Sequence, residues 1–387
     1  MSGAPHVMFA GGGAAGHLFP GLAVAEHLAK LMPGARLTFA GPGKPREKHT
    51  IRTAGYEHAT ILAQPIPQNP LQAFRFVTDN IAGYCAAHWL LKEQRVSLVI
   101  GLGGFTSTAV VRAAAARGIP FILLEQNAIP SQTTRWLSRA SSLVCAAFEE
   151  VRPHLHVQAS VAVTGNPSRP AFERLYRSGR HENSDKKLGH SVRQPSRPKR
   201  LVVLGGAGGA RSLNESMPQA LQQLGDCLSE WHIVHQTGEG QLQETESRYA
   251  RSGVEALAVT YIDEIASVLF ESDLVVCRAG GTTLAELALA GTPAVLVPYP
   301  DAADDHQIAN AKVFASAGAC RLIDETSQTG ALDKALAREL TPLLVEQSQR
   351  NEMRHRMQGL ARPAAAADIA AVAHESLYGA QDSHMAA

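Results

Sequence analysis

This sequence of 387 residues has little of what marks secreted, membrane-spanning or nucleic-acid-binding proteins. Its five cysteines are odd in number and show no CxxC spacing, which predicts thiols in a reducing compartment and argues against a disulfide framework. No apolar run approaches the ~20 residues that span a bilayer, and the first residues show no signal peptide. The formal net charge of +1 gives no electrostatic argument for nucleic acid. We expect a cytoplasmic protein whose contact with a membrane is at most peripheral.

Short apolar runs alternate with helical patterns, which is typical of parallel sheets built from βαβ units. At this length two domains are expected, so the predicted fold class is α/β, with two doubly wound Rossmann-like domains facing across a cleft. The predicted strands cover residues 7–10, 36–40, 98–101, 121–124, 143–146, 161–164, 201–204, 232–236, 256–261, 274–277, 294–297 and 319–323. The predicted helices cover residues 21–31, 106–117, 133–139, 212–224, 265–271, 283–289, 306–317 and segments within 331–373.

A change of composition divides the chain. Residues 176–200 are polar, basic and almost free of large apolar side chains, which predicts an interdomain linker. This linker is either a solvated tether or a segment that touches anionic lipid. The predicted domains are residues 1–175 and 201–378, the second including the closing helices, with a frayed tail over 379–387.

Two glycine-rich loops carry the strongest functional signal. The first glycine loop is residues 11–16, GGGAAG, and the second glycine loop is residues 205–210, GGAGGA. Each follows an apolar strand and opens a helix, so its backbone N–H groups lie at the positive end of a helix dipole, where phosphate binds. Two such loops in two α/β halves predict a ligand that carries a diphosphate.

A nicotinamide enzyme is the first alternative, and the sequence disfavours it. Neither loop combines the strict G-x-G-x-x-G order with an acidic residue at the end of the next strand, as a dinucleotide-binding fold requires. The second predicted strand ends in Phe39-Ala40-Gly41-Pro42, without the carboxylate that binds the NAD ribose.

Six motifs in chain order resemble the MurG family of peptidoglycan N-acetylglucosaminyltransferases. They begin at residues 11, 101, 125, 165, 278 and 304 and read GGGAAGHLFPGLAVA, GLGGFTS, EQN, GNPSR, RAGGTTLAE and DDHQIAN. The resemblance spans nearly the whole chain and implies a GT-B fold.

The resemblance also implies the activity: inverting transfer of N-acetylglucosamine from UDP-GlcNAc to the muramoyl 4-hydroxyl of lipid I, a polyprenyl-diphosphate acceptor, giving lipid II for the cell wall. It implies an N-terminal domain that binds the acceptor and the anionic inner-membrane surface, on the cytoplasmic face. The C-terminal domain would bind UDP-GlcNAc. No cofactor and no nucleic-acid partner are expected.

His17, at the end of the first glycine loop, is the candidate catalytic residue. A loop histidine can simply pack or cap locally. A neutral imidazole at a helix N-terminus can also take a proton from the acceptor hydroxyl, and the resemblance favours this role.

Glu286 has two possible roles. Thr283 and Glu286 have the spacing of a capping box, in which the carboxylate would satisfy the N-cap N–H. In the matching family motif the glutamate instead accepts hydroxyls of the UDP ribose, and a carboxylate suits a vicinal diol. The turn of Gly280, Gly281 and Thr282 would let backbone N–H groups approach the α-phosphate.

The resemblance adds further substrate-binding residues. Arg169 is either an exposed salt-bridge partner or, as the motif implies, a guanidinium that offsets the charge of the donor diphosphate. Asn127 and Gln307 carry amides that can bind sugar hydroxyls, and Ile262 matches a family position whose backbone meets uracil. The other predicted substrate-binding residues are Ala14, Ala15, Gly16, Ala207, Gly281, Thr282, Thr283, Leu284 and Ala285.

Both glycine loops depart from the family pattern. Ala14-Ala15 stand where the family has Thr-Gly, and Ala207 stands where it has Ser. These departures leave open a homologue that binds a UDP-sugar or lipid without transfer. The other alternative is a UDP-GlcNAc 2-epimerase of similar fold, which would need extra acid–base carboxylates and no lipid contact.

No metal site is predicted. Asp301, Asp304 and Asp305 form an acidic cluster, and helix capping ahead of His306 is the favoured explanation of it. Helix dipoles and Arg169 are expected to stabilise the departing UDP.

Residues 67–89 are the candidate membrane contact. They fit either a buried helix with a solvated edge or an interfacial patch that gives access to the polyprenyl acceptor. The apolar side chains are Leu71, Phe74, Phe76, Val77, Tyr84, Trp89, Leu90 and Leu91, interleaved with Arg75, Lys92 and Arg95.

Overall fold

The computed structural model describes residues 4–13, 15–64, 70–179, 197–206, 208–326 and 331–382. The chain divides into two compact units. The first unit is Met1–Arg169 with Arg362–Ala387, and the second unit is Pro170–Ala361.

The first unit is built on a parallel sheet that has seven strands within the described residues, in the order β3-β2-β1-β4-β5-β6-β7. The strands are β1 His6–Gly11, β2 Arg36–Gly41, β3 Glu57–Thr60, β4 Leu98–Gly103, β5 Phe121–Glu125, β6 Leu143–Ala146 and β7 Val161–Val163. The helices are α1 Ala15–Leu31, α2 Pro45–Thr53, α3 Pro70–Glu93, α4 Phe105–Ala116, α5 Gln132–Leu137 and, from the end of the chain, α14 Ala365–Asp382.

The second unit repeats this plan with six parallel strands in its described part, in the order β10-β9-β8-β11-β12-β13. The strands are β8 Lys199–Leu204, β9 Trp231–Gln236, β10 Leu257–Val259, β11 Leu274–Cys277, β12 Ala294–Leu296 and β13 Cys320–Leu322. The helices are α6 Pro170–Arg177, α7 Arg211–Gln222, α8 Leu242–Ser252, α9 Ile265–Phe270, α10 Gly281–Ala290, α11 His306–Ser316, α12 Leu332–Val345 and α13 Gln347–Gly359.

Both sheets reverse their strand order next to the strand that precedes a glycine loop. The reversal lies between β1 and β4 in the first unit and between β8 and β11 in the second. In a doubly wound fold ligands bind outside the carboxyl ends of the strands at this point. The topology therefore puts each glycine loop where its own sheet offers a ligand site.

The unit boundaries differ from the predicted domains in two places. Helix α14 was assigned to the C-terminal domain, but it belongs to the first unit, because Ala366, Ile369 and Ala370 pack into the core formed by α1 and the first sheet. Helix α6 belongs to the second unit, where Phe172 packs on Phe270 with ring centroids 6.1 Å apart. Residues 180–196 of the predicted linker, and the end of the predicted tail from 383, lie outside the described residues.

The predicted strands and helices are confirmed with shifts at their ends, with one consequential difference. Helix α1 begins at Ala15, six residues before the predicted start, and Pro20 lies inside it. His17 is therefore in the first turn of a helix instead of at the end of a loop.

Candidate active site

The first glycine loop turns sharply at the carboxyl end of β1. Gly11 has φ 116°, and a methyl group in place of its hydrogen would lie 2.3 Å from the carbonyl oxygen of Gly103 on β4. Only glycine fits both this φ and this close approach. Gly16 lies in the first turn of α1 beside Ala15, and Ala14 lies outside the described residues.

The imidazole of His17 rests on the turn that follows β4. A methyl group on Gly103 would lie 3.3 Å from His17 Nε2, and one on Gly104 would lie 3.7 Å from Nδ1. The ring is only half-buried, so it packs against the backbone and still reaches solvent. The predicted local packing is therefore real, and it places the imidazole at the reversal point of the first sheet.

A buried carboxylate organises the neighbouring loop after β5. The backbone N–H and side-chain amide of Asn127 donate to Glu125 Oε1 at 3.1 and 3.3 Å. The Ser131 N–H and Thr134 hydroxyl donate to Glu125 Oε2 at 3.0 and 2.7 Å. Burial raises the pKa of Glu125, although these hydrogen bonds oppose the shift. Glu125 thus fixes the loop that presents Asn127, a role that the sequence did not reveal.

Arg169 lies beside α1 within the first unit. Its guanidinium carbon is 4.9 Å from the centre of the Phe19 ring, a cation–π contact, and the side chain is half-buried. Arg169 is therefore not fully exposed, and the choice between a salt-bridge partner and a donor-binding guanidinium stays a prediction. Because Phe19 follows His17 by two residues, Arg169 and the candidate base contact the same end of α1.

The second glycine loop is held by an amide that the sequence analysis missed. Gln236 Nε2 donates to the Gly206 carbonyl at 2.9 Å, and the Ile262 N–H donates to Gln236 Oε1 at 3.2 Å. One side chain at the end of β9 thus ties this loop to the segment that carries Ile262. Ala207, between the two halves of the loop, lies outside the described residues.

Helix α10 begins earlier than a capping box at Thr283 would require. Its N-cap is Gly280, without a side-chain cap, so Thr283 is already helical and Glu286 lies in the sixth helical position. The capping-box role of Glu286 is therefore wrong. Glu286 as a whole is 2% exposed. The predicted residues Gly281, Thr282, Thr283, Leu284 and Ala285 form the opening of this helix.

Helix α11 braces the turn that leads into α10. Gln307 Oε1 accepts the N–H groups of Ala279 and Tyr299 at 3.2 and 3.0 Å. Asn310 Nδ2 donates to the Ala279 carbonyl at 3.1 Å. The amide oxygen of Gln307 is thus engaged by backbone, and its Nε2 is the group suited to donate to a sugar hydroxyl.

An ionic network joins the start of α7 to the ends of three strands. Arg278 Nη1 lies 2.6 Å from Glu325 Oε1 and donates to the carbonyls of Val297 and Pro298. Ser212 at the start of α7 donates to Glu325 and accepts from Arg278, both at 2.8 Å. This network, too, was not predicted.

The predicted helix capping is not made by Asp305, the last residue of the acidic cluster. Asp305 occupies the N-cap position of α11 with φ 53°, but its side chain makes no capping hydrogen bond. Helix capping by Asp305 is therefore wrong. Among the described residues, no group of three or more His, Cys, Asp or Glu side chains is placed to hold a metal ion.

Helix α3 has two apolar faces. Ala87 and Leu91 are buried in the core of the first unit, as the buried-helix interpretation expects. On the other side four large apolar residues are more than half exposed: Phe74, Val77, Ile81 and Trp89. Of the helices in the described part of the chain, none is long and apolar enough to cross a membrane.

Comparison with known proteins identifies the class. Residues 7–145 match the glycosyltransferase family 28 N-terminal domain, and residues 200–369 match its C-terminal domain. A crystal structure of a UDP-N-acetylglucosamine 2-epimerase superposes with a TM-score of 0.64 at 12% identity, over 95% of this chain and 95% of that one, and this likeness shows the fold alone. The chain is a glycosyltransferase of the GT-B fold.

Two relatives narrow the family. The UDP-N-acetylglucosamine–N-acetylmuramyl-(pentapeptide) pyrophosphoryl-undecaprenol N-acetylglucosamine transferase of Myxococcus xanthus is 34% identical over 369 residues, 95% of this chain and 91% of the relative. The crystal structure of Acinetobacter baumannii MurG superposes with a TM-score of 0.72 at 28% identity, over 96% of this chain and 99% of that one. The chain belongs to the MurG family.

Proposed function

We propose that this protein transfers N-acetylglucosamine from UDP-GlcNAc to the muramoyl 4-hydroxyl of lipid I, giving lipid II. The observation that carries the proposal is the 34% identity, over 95% of the chain, to a transferase whose name states this donor and acceptor. The first unit binds the acceptor, and the second unit binds the donor.

The reaction is a single displacement. The acceptor hydroxyl oxygen attacks C1 of N-acetylglucosamine, the bond from C1 to the β-phosphate oxygen breaks, and its electron pair leaves with UDP. The proton of the hydroxyl passes to the imidazole of His17. His17 suits this role because it is half-buried and held by Gly103 and Gly104. One displacement on an α-linked donor gives a β-linked product.

The donor is held at the opening of α10. The first backbone N–H groups of this helix and its positive dipole suit the α-phosphate. The Glu286 carboxylate accepts the ribose hydroxyls, the Ile262 carbonyl faces uracil, and Gln307 Nε2 donates to the sugar. Arg169 offsets the charge on the departing diphosphate. Arg169 and the dipole of α10 supply the positive charge that a metal ion would otherwise provide. Chelation of divalent ions with EDTA is therefore expected to leave transfer unchanged.

The exposed face of α3 is the membrane contact. Phe74, Val77, Ile81 and Trp89 recur at helical spacing, as expected for a helix that lies in a lipid interface. Exposed Arg75 stands beside them and suits an anionic leaflet. The protein therefore acts peripherally at the cytoplasmic face of the inner membrane, where lipid I presents its head group.

The transfer assay uses purified protein, radiolabelled UDP-GlcNAc and a short-chain lipid I analogue. Labelled lipid supports the proposal. Conversion of UDP-GlcNAc without an acceptor supports an epimerase, and UDP binding without turnover supports a non-catalytic homologue.

The membrane contact is tested by flotation with anionic vesicles. The Phe74→Ser/Trp89→Ser variant is expected to lose binding. Val157→Ser, which changes an apolar residue that is 94% exposed elsewhere in the first unit, is the matched control and is expected to float like wild type. Equal flotation of the α3 variant would assign membrane binding to another surface.

A further inference from the structure

A chain of hydrogen-bonded side chains runs through the second unit to the second glycine loop. The Tyr249 hydroxyl on α8 lies 2.8 Å from His235 Nδ1 on β9. His235 Nε2 lies 3.0 Å from Asn214 Oδ1 on α7. Asn214 Nδ2 donates to Gln241 Oε1 at 2.7 Å, and Gln241 Nε2 donates to the carbonyl oxygen of Gly208 at 3.4 Å.

The direction of every hydrogen bond in this chain is fixed. Asn214 Nδ2 also faces the carbonyl oxygen of Thr237 at 2.9 Å, which accepts only, so Oδ1 must point to His235. His235 Nε2 then carries the proton, and Nδ1 must accept from the Tyr249 hydroxyl. The imidazole is thus held as one neutral tautomer. Burial agrees with this, since it lowers the pKa of His235 to about 3.

Burial keeps most of these groups from any ligand. His235 is fully buried, and Tyr249 and Asn214 are each 3% exposed. They are polar groups set into the side of an otherwise apolar core, at a cost that only complete pairing removes. This chain of hydrogen bonds ends at the backbone of the second glycine loop.

Two glutamines hold carbonyl groups of that loop. Gln236 donates a hydrogen bond to the Gly206 carbonyl, and Gln241 donates one to the Gly208 carbonyl. A methyl group on Gly238 would lie 2.2 Å from the Gly209 nitrogen, so the loop is seated directly on the segment that carries Gln241. A carbonyl oxygen turned towards a phosphate would repel it, and amide donors at both carbonyls oppose that rotation.

We propose that Tyr249, His235, Asn214 and Gln241 form a positioning relay that holds the second glycine loop in the shape that binds the diphosphate of a nucleoside diphosphate. The relay rests on the proposed function, since it assigns this loop to the donor. Its members position the loop and are not catalytic residues.

The first test is Tyr249→Phe, which removes the hydroxyl at the far end of the relay and leaves His235 Nδ1 without its donor. Titration calorimetry with UDP is expected to show binding weakened about three- to tenfold, the range that one net hydrogen bond can move. The KM for UDP-GlcNAc should rise with it, while the KM for the acceptor stays unchanged. Ile233→Val on the same strand is the control, since it loosens the same core and should leave UDP binding unchanged.

The second test is a double-mutant cycle. Gln241→Met removes the amide at the end of the relay that contacts the second glycine loop. Gln243→Met, which makes the same change at an exposed position two residues further on, is its control. Within one relay the two effects are not additive, so Tyr249→Phe should have no further effect in the Gln241→Met background. Should Tyr249→Phe fail to fold, Gln241→Met against Gln243→Met still measures the contribution of the near end.

The outcomes separate the relay from the proposed function. UDP binding equal to wild type in both Tyr249→Phe and Gln241→Met, with lipid product still formed, overturns the relay alone. Weakened binding in Gln241→Met with none in Tyr249→Phe also overturns it, because Gln241 then acts by itself. A wild-type protein that binds no UDP overturns the proposed function.

Discussion

The two glycine loops begin from the same pattern of strand, glycines and helix, and the structure supports them in different ways. The first is held by backbone, with Gly11 against the Gly103 carbonyl, and it leaves the imidazole of His17 half-exposed. The second is held by the side-chain amides of Gln236 and Gln241, and Gln241 is linked through Asn214 to the buried His235. Under the proposed function, the same local motif serves two tasks: it presents an imidazole that accepts a proton, and it forms a rigid site for an anion.

The largest expected effect separates the two loops directly. His17→Ala should lower kcat about 10²- to 10⁴-fold, the scale of general-base catalysis, because the acceptor hydroxyl loses its proton acceptor. UDP binding, measured by calorimetry, should stay within twofold, since the proposed function assigns the donor to the second unit. His49→Ala, which changes an exposed histidine of the first unit, is the control. Near-wild-type turnover in His17→Ala would remove this residue from the mechanism.

Glu286→Gln tests the donor side. UDP binding should weaken about tenfold, because an amide replaces the charged acceptor of the ribose hydroxyls, and hydrogen bonds to charged groups are worth about 1.5–3 kcal/mol. The melting temperature should change little, because Glu286 is not a cap of α10. Unchanged binding with a lowered melting temperature would return Glu286 to a structural role.

Most of both sheets could be predicted, because buried parallel strands appear in a sequence as short continuous apolar runs. The exception, Glu57–Thr60, is an edge strand that no predicted strand covers, since its residues are half or fully exposed and show no apolar pattern. The start of α1 was missed because Ala15 and Gly16 carry no helical periodicity. The partner of α14 could not be predicted, since an apolar helix face does not specify which of two similar cores it covers.

The site residues divide in the same way. His17, Asn127 and Gln307 could be found because a family motif contains them. Gln236 and Gln241 were missed, because their partners are backbone carbonyls that only the folded chain brings near. A glutamine at the end of a buried strand was the signal available for the first of these.

A change of pH tests whether the buried imidazole of His235 is held neutral. Because the pKa of His235 is about 3 when folded and about 6.5 in an unfolded chain, the unfolded state binds the extra proton between these values. The contribution to stability is complete above pH 6.5 and falls as the pH drops towards 3. The unfolding free energy is measured by denaturant titrations at a series of pH values. As the pH is lowered, it should fall more steeply for wild type than for His235→Gln, by at most about 1.4 kcal/mol per pH unit.

The same titrations on Ile233→Val, which changes no titratable group in this core, provide the control, and its slope should match that of wild type. Equal slopes for wild type and His235→Gln would mean that His235 is not held neutral, and the fixed direction of the relay would then be wrong.

The smallest expected effect is a change in UDP affinity that shows which glycine loop contacts the donor phosphates. Ala207→Ser should tighten UDP binding about threefold, because a hydroxyl adds a donor to a phosphate oxygen, while bound water already recovers part of that contact in wild type. Ala14→Ser makes the same change in the first loop and should leave UDP binding unchanged, since that loop serves the base. If Ala14→Ser alone tightens binding, the first loop faces the donor phosphates and the assignment of the two loops is reversed. If neither does, water supplies the contact fully or both hydroxyls point elsewhere, and the departures at Ala14 and Ala207 cost this protein nothing in donor affinity.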